Sequence, residues 1–300
     1  MFDLTFLGTS GSIPSVERNQ PGLLIAVGSH RMLVDCGEGT QRQLLRSGAG
    51  FRRLDRLLLT HDHLDHVLGI PGLLSTLGQQ RREEKLVIHG GPKTLRFVAG
   101  QFAALWGEGR APIACELAGL EEGLVVEEDD FTISCFPIQH RNTDSFAFIF
   151  EAQARRHLLP DRLDALGVPG PDRKELAAGR AVTLADGRVI DPAAVTGAET
   201  PGAKLVVVGD VATTEGLVDH VRGADLLVIE SSFLARDAET AQRYGHLTAT
   251  EGATLAAEAG VKRLVLNHIT GRYEDHEILA EAKAIFPEVA LANDFDKVSI

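Results

Sequence analysis

The segment Thr60-His61-Asp62-His63-Leu64-Asp65-His66 sets three imidazoles and two carboxylates within six residues, directly after the apolar run Leu57-Leu58-Leu59. Neutral imidazole nitrogen and carboxylate oxygen are ligands of a borderline divalent metal such as zinc, and alternate residues on a turn can aim at one point. His61 and His63 have that spacing. Asp65 and His66 follow too closely to share the same four-coordinate ion, so the pattern suits two adjacent ions, the second held by Asp65 and His66. A solvated loop that happens to be rich in histidine is the plain alternative, and the strand-then-turn context weighs against it.

Further metal-type residues fall at the ends of other predicted strands. His140 follows the run 133–138, Asp210 follows 205–208 and Gly209, and His268 follows 264–266 and Asn267. Ligands at the carboxyl ends of strands can converge in one crevice of an α/β sheet protein. Singly each is an ordinary polar residue at a strand end; together they support one shared site.

Three apolar segments, 4–7, 23–27 and 31–34, are separated by Gly-rich or polar turns and suit antiparallel pairing. Beyond Leu57, continuous apolar runs at 86–88, 205–208, 226–229 and 264–266 predict strands covered on both faces. Helices are predicted over 41–46, 67–77, 94–106, 215–221, 249–259 and 275–285. Strands alternating with helices indicate layered sheets flanked by helices, an α/β protein.

The chain has 300 residues, 44% hydrophobic and 24% charged, the composition of an ordinary globular protein. No apolar run approaches a membrane span, and Met1-Phe2-Asp3-Leu4-Thr5 has no basic stretch before an apolar one, so the cytoplasm is the default. Cys36, Cys115 and Cys135 are an odd number without Cys-x-x-Cys spacing, against a disulfide framework or thiolate zinc site. A net charge of -12 disfavours indiscriminate nucleic-acid binding but says little about a local patch or bound cations.

One region breaks the rhythm. Residues 155–192 carry Pro160, Pro169, Pro171 and several glycines among short amphipathic pieces, the pattern of an inserted excursion. Its seven basic and six acidic residues make it relatively basic in an acidic chain; a solvent-exposed loop of mixed charge is the alternative.

Taken with Phe6-Leu7-Gly8-Thr9-Ser10, Arg18-Asn19, Asp35-Cys36-Gly37-Glu38-Gly39-Thr40-Gln41, Gly69-Ile70-Pro71-Gly72, Gly209-Asp210, Gly245-His246, Asn267-His268, Arg272-Tyr273 and Ala292-Asn293-Asp294-Phe295, the chain resembles the ribonuclease Z family. These are tRNA 3′-processing endonucleases of the metallo-β-lactamase fold. The first metal motif is shared across that superfamily; its combination with the arm-like Leu166-Gly167-Val168-Pro169-Gly170-Pro171 is more specific.

The resemblance implies a four-layered αβ/βα sandwich of two mixed sheets flanked by helices, one domain over 1–300 with 155–192 as an inserted tRNA-binding arm. It assigns His61, His63 and His140 to one zinc, Asp65, His66 and His268 to the other, and Asp210 to a bridge between them; manganese or iron would also suit such ligands. Two divalent ions against two carboxylates and one hydroxide leave a site of about +1, suited to a phosphodiester. Asp65 would orient the attacking water and take its proton. His246, oriented by Glu230, would serve the leaving 3′ oxygen, and Asp35 would fix a ligand imidazole. Arg272, Arg173 and Lys174 are candidate phosphate contacts. The family further implies a homodimer in which one subunit's arm clamps precursor tRNA for the other's site, through shape and phosphates.

The chain departs from the family pattern at Ile229, where histidine is usual before Glu230; at Leu247, where serine is usual after His246; at Phe146-Ala147-Phe148; and in the single Pro169 of the arm. Two other enzyme readings stand beside this one: a phosphodiesterase for small or cyclic nucleotides and a thioesterase of the same superfamily. A non-catalytic RNA-binding relative is a further reading.

Overall fold

A computed structural model describes residues 1–107 and 111–300 of the chain. They form two compact units: Met1–Glu151 with Ala203–Ile300, and Ala152–Gly202.

The larger unit holds two seven-stranded sheets, both mixed. In the first, Asp3–Gly8, Gly22–Val27 and His30–Val34 pair antiparallel, as their closeness in sequence predicts. From His30–Val34 onward Leu54–Leu58, Leu86–Gly90 and Cys115–Gly119 add in parallel, each crossover supplying helix. In the second sheet Lys204–Val208, Leu226–Glu230, Leu264–Asn267 and Val289–Leu291 run parallel, and Ser145–Ala152 pairs antiparallel with Lys204–Val208.

The continuous apolar runs have the predicted two-sided burial. Val206, Val208, Leu227, Ile229, Leu264 and Leu266 pack in one cluster with Ala253, Ala256, Ile278 and Ala282 of the helices Ala249–Glu258 and Asp275–Lys283. Their alternate neighbours Leu205, Val207, Leu226, Val228 and Val265 are buried as well. A polar side chain in these runs would lose hydration on either face, which is why the polar residues wait for the strand ends.

The helix predicted over 67–77 is instead two, Leu64–Val67 and Ile70–Gln79. Gly69 sits between them because the backbone there meets the Gly37 carbonyl so closely that a Cβ would lie 1.9 Å from its oxygen. That contact presses the turn carrying Asp65 and His66 against the loop after His30–Val34.

Several residues that carry the resemblance sew the chain ends together. Arg18 donates to Thr9 Oγ1 at 2.8 Å and to the Ala292 carbonyl, and pairs with Asp275 at 2.7 Å. Asp294 accepts from Thr9 Oγ1, the Asn19 N–H and Gln43 Nε2 at 2.7–2.9 Å.

The smaller unit has its own apolar cluster of Leu163, Val168, Leu176, Val182, Leu184, Ile190 and Val195. It is a folded piece of short helices and strands, with Pro160–Ala165 and Gly170–Ala177 as helices. Much of its basic character is spent internally: Arg156 pairs with Glu199, Arg173 with Asp164, Arg180 with Glu175 and Arg188 with Asp186. Exposed pairs of this kind are weak and exchange partners easily. Lys174 is exposed and makes no ion pair among the described residues. No helix of the described residues is long and apolar enough to cross a membrane.

Candidate metal centre

The strand-end residues converge. His61, His63, His140 and Asp210 bring one ligand atom each within 4.8 Å of one another, and so do Asp65, His66 and His268. Asp210 faces both groups: its Oδ2 lies 3.8 Å from His61 Nε2 and 3.7 Å from His140 Nε2, its Oδ1 3.5 Å from His66 Nε2 and 3.2 Å from His268 Nε2. Asp65 Oδ2 lies 3.6 Å from both His66 Nε2 and His268 Nε2. Ligand bonds of about 2.0–2.1 Å at tetrahedral angles set neighbouring ligand atoms roughly 3.3 Å apart, so this spacing fits a cation between them.

The hydrogen-bond accounting tests that fit. His61 Nε2, His66 Nε2, His268 Nε2 and Asp210 Oδ1 are buried with no hydrogen-bond partner. Four orphaned polar atoms in one pocket would be costly unless a cation satisfies them. The residues fit two divalent metal ions, with Asp210 able to bridge.

What holds the imidazoles is a pair of buried carboxylates, Asp35 just after the strand His30–Val34 of the first sheet and Glu230 closing the strand Leu226–Glu230 of the second. Asp35 Oδ2 accepts from His66 Nδ1 at 2.8 Å and from Thr60 Oγ1 at 2.9 Å, while Thr60 Oγ1 accepts from His61 Nδ1 at 3.0 Å. Asp35 sits at φ 60°, a strained backbone for a non-glycine residue that the surrounding contacts enforce. Glu230 Oε1 accepts from His246 Nδ1 and the Val211 N–H, both at 2.9 Å; its Oε2 accepts from Ser232 Oγ at 2.7 Å, which accepts from His268 Nδ1 at 3.0 Å. Each carboxylate thus fixes one imidazole directly and one through a hydroxyl, leaving the far ring nitrogens for the site.

His140 is fixed differently, its Nδ1–H donating to the Gly245 carbonyl at 2.7 Å. Gly245 ends the helix Ala238–Tyr244 at φ 75° with Arg141 Cγ 3.0 Å from where a Cβ would stand, so only glycine fits there comfortably. Two of the departures from the family pattern, Ile229 and Leu247, are fully buried core residues, and His246 is held by Glu230 without them.

Burial, with the charge of nearby His66, holds His61 well below the usual histidine range. Burial and His140 bring His63 down to about 4, and burial lowers His140. These three rings are neutral, the form that binds metal. For Asp65, burial is outweighed by the hydrogen bond and charge of His268 and by His66, bringing it to about 2. Burial likewise opposes the charge on His66, yet Asp210 and Asp35 push it well above the usual range. A cation therefore displaces a proton there on binding. His246 is pushed up to about 9 because the charge and hydrogen bond of Glu230 outweigh burial.

Other expectations fare variously. In the Gly8-Thr9-Ser10-Gly11 turn the N–H groups of Ser10 and Gly11 donate to the Asn19 and Ile269 carbonyls, and Ser12 N–H donates to Asp65. Arg173 is engaged by Asp164 and the Val168 carbonyl. Arg272 lies over the Phe233 ring beside His246, in a cleft that Arg141 also lines. Sequence reasoning missed Thr60, Ser232 and Arg141; for the first two the only signal is a hydroxyl next to His61 and another two residues after Glu230.

Ser232→Ala is expected to weaken metal affinity about 10–100-fold, while Ser232→Thr keeps it. Chelator competition measures this, and equal affinity in the alanine variant would exclude the relay.

Two mixed seven-stranded sheets flanked by helices, with His and Asp clusters at the strand ends suited to two metal ions, define a protein of the metallo-β-lactamase fold. The metallo-β-lactamase fold protein YhfI from Bacillus subtilis superposes with a TM-score of 0.70 at 20% identity, covering 99% of this chain and 98% of its own. Human tRNase Z, short form, gives 0.68 at 25% identity over 99% of both chains. The ribonuclease Z of Bradyrhizobium diazoefficiens is 62% identical over the full length of both chains. The chain belongs to the ribonuclease Z family. Residues 2–156, just over half of the chain, also match the family model described as Anti-Pycsar protein Apyc1, a stretch that includes His61 to His140 but not Asp210, His246 or His268.

Proposed function

We propose that this chain is the metal-dependent endoribonuclease that hydrolyses the 3′ trailer from precursor tRNA in the cytoplasm, leaving a 3′ hydroxyl on the tRNA. The observation that carries the reading is Asp210, whose two oxygens face two separate ligand groups. His61, His63 and His140 would hold one zinc ion, Asp65, His66 and His268 the other. When bound, such ions supply positive charge to the phosphoryl oxygens and lower the pKa of water toward ~7.

The chain's own groups do the rest. Asp65, held by the Ser12 N–H at 3.1 Å, orients the attacking water and takes its proton. His246 presents Nε2 to the leaving 3′ oxygen because Nδ1–H is committed to Glu230. Asp35 and Thr60, and Glu230 and Ser232, keep the imidazoles from rotating.

Residues 155–192 act as the arm that grips tRNA, and the enzyme works as a homodimer in which each arm serves the partner's site. Exposed Leu45, Leu64 and Leu68 on the helical side of the first sheet support an apolar contact between copies. The test uses labelled precursor tRNA with and without chelator. Cleavage stops with chelator, and the product ends in a 3′ hydroxyl. A Lys174→Glu, Arg162→Glu variant binds weakly, its salt slope reduced by about 1 per reversed contact. Mixed with an Asp210→Ala variant it regains cleavage through heterodimers; no regain would sink the cross-subunit arrangement.

A further inference from the structure

Beside His246 lies a cleft of 640 Å³, inside the ~300–1,000 Å³ range of small-ligand sites. In a chain of net charge -12 its lining contains no carboxylate. It contains two arginines, Arg141 and Arg272, and among the described residues neither side chain makes a hydrogen bond or ion pair. Arg272 is held with its guanidinium 5.4 Å over the Phe233 ring. Arg141 stands at φ 47°, a left-handed conformation unfavourable for an arginine. Tyr244, which lines the same cleft, is 47% exposed, its ring parallel to within 3° to that of the buried Phe233 at 6.5 Å between centroids. Ile13 and Pro14 supply an apolar wall.

An aromatic face, unpaired guanidiniums and no acid are the features that receive a nucleotide: a base stacks on the ring, and phosphates meet the arginines. The position of His246 decides which nucleotide. The oxygen it protonates is the 3′ oxygen of the last residue retained by the tRNA, and the cleft opens from that imidazole. We propose that Tyr244, Arg141 and Arg272 form the subsite for this retained nucleotide, its base on Tyr244 and its flanking phosphate on Arg141. The inference rests on the endonuclease reading above.

Precursor RNAs with an abasic residue at the last retained position, or at the first trailer position, are cleaved by wild type, Tyr244→Ala and Tyr244→Phe. An abasic retained residue lowers wild-type kcat/KM about tenfold to hundredfold, the size of one base stack. Tyr244→Ala costs a similar factor, the two losses together do not exceed either alone, and Tyr244→Phe restores the wild-type pattern. Arg141→Gln lowers the salt slope of binding by about 1. Fully multiplicative losses for Tyr244→Ala and the retained abasic residue would overturn the proposal. So would coupling of Tyr244 to the first trailer position, which would give the cleft to the other side of the scissile bond. If wild type cuts no precursor at all, it is the endonuclease reading that fails, and the subsite falls with it.

Discussion

Asp210→Ala is expected to lose both metal ions and RNA cleavage together, with kcat/KM falling on the order of 10⁴-fold or more. Each carboxylate oxygen faces two imidazole nitrogens, so its removal takes a ligand from both groups at once. It also removes the anion that does most to hold a proton on His66. Metal content by elemental analysis on the purified variant is the deciding measurement, read beside cleavage of precursor tRNA. A variant that kept both ions would show that Asp210 is no bridge, whatever its activity.

The second large effect separates proton supply from metal binding. His246→Ala is expected to lower kcat on RNA by 10²–10⁴-fold while metal content stays at the wild-type level. The imidazole is tied to Glu230 at 2.9 Å, and only one ring nitrogen remains to face the leaving group. A ribose 3′ oxygen is a poor leaving group without a proton, whereas an aryl oxide leaves readily as the anion. The loss on an aryl phosphodiester should therefore be far smaller than on RNA. Equal losses on the two substrates would remove His246 from the role of general acid and leave it as a prop for its neighbours.

The ligand set was legible because its chemistry is compressed into one segment and repeated at strand ends. His61, His63, Asp65 and His66 declare themselves by spacing, and His140, Asp210 and His268 by following apolar runs whose two-sided burial fixes where the strands stop. The groups that hold the ligands were less visible. Asp35 and Thr60 are twenty-five positions apart, and Ser232 and His268 thirty-six, so their contacts exist only after two strands have docked. A threonine or serine at a strand end is common, and nothing local separates a relay from a turn former. Arg141 was invisible for a similar reason: its value lies in the absence of a carboxylate nearby, which is a property of the cleft. A charge count of the segment 155–192 does not show which of its basic residues are paired: Arg156, Arg173, Arg180 and Arg188 meet acids of the same small unit.

Each ion would draw part of its shell from the segment after Leu54–Leu58 and part from loops of the other sheet: His61 and His63 meet His140 and Asp210, while Asp65 and His66 meet His268. Neither layer alone can assemble a hydrolytic centre. A nascent polypeptide in which His140, Asp210 and His268 have not yet reached the histidine-rich turn carries only half-sets of donors. Competence to cut arrives only with the docking of the two layers, so an assembly fault silences the nuclease instead of releasing an indiscriminate one.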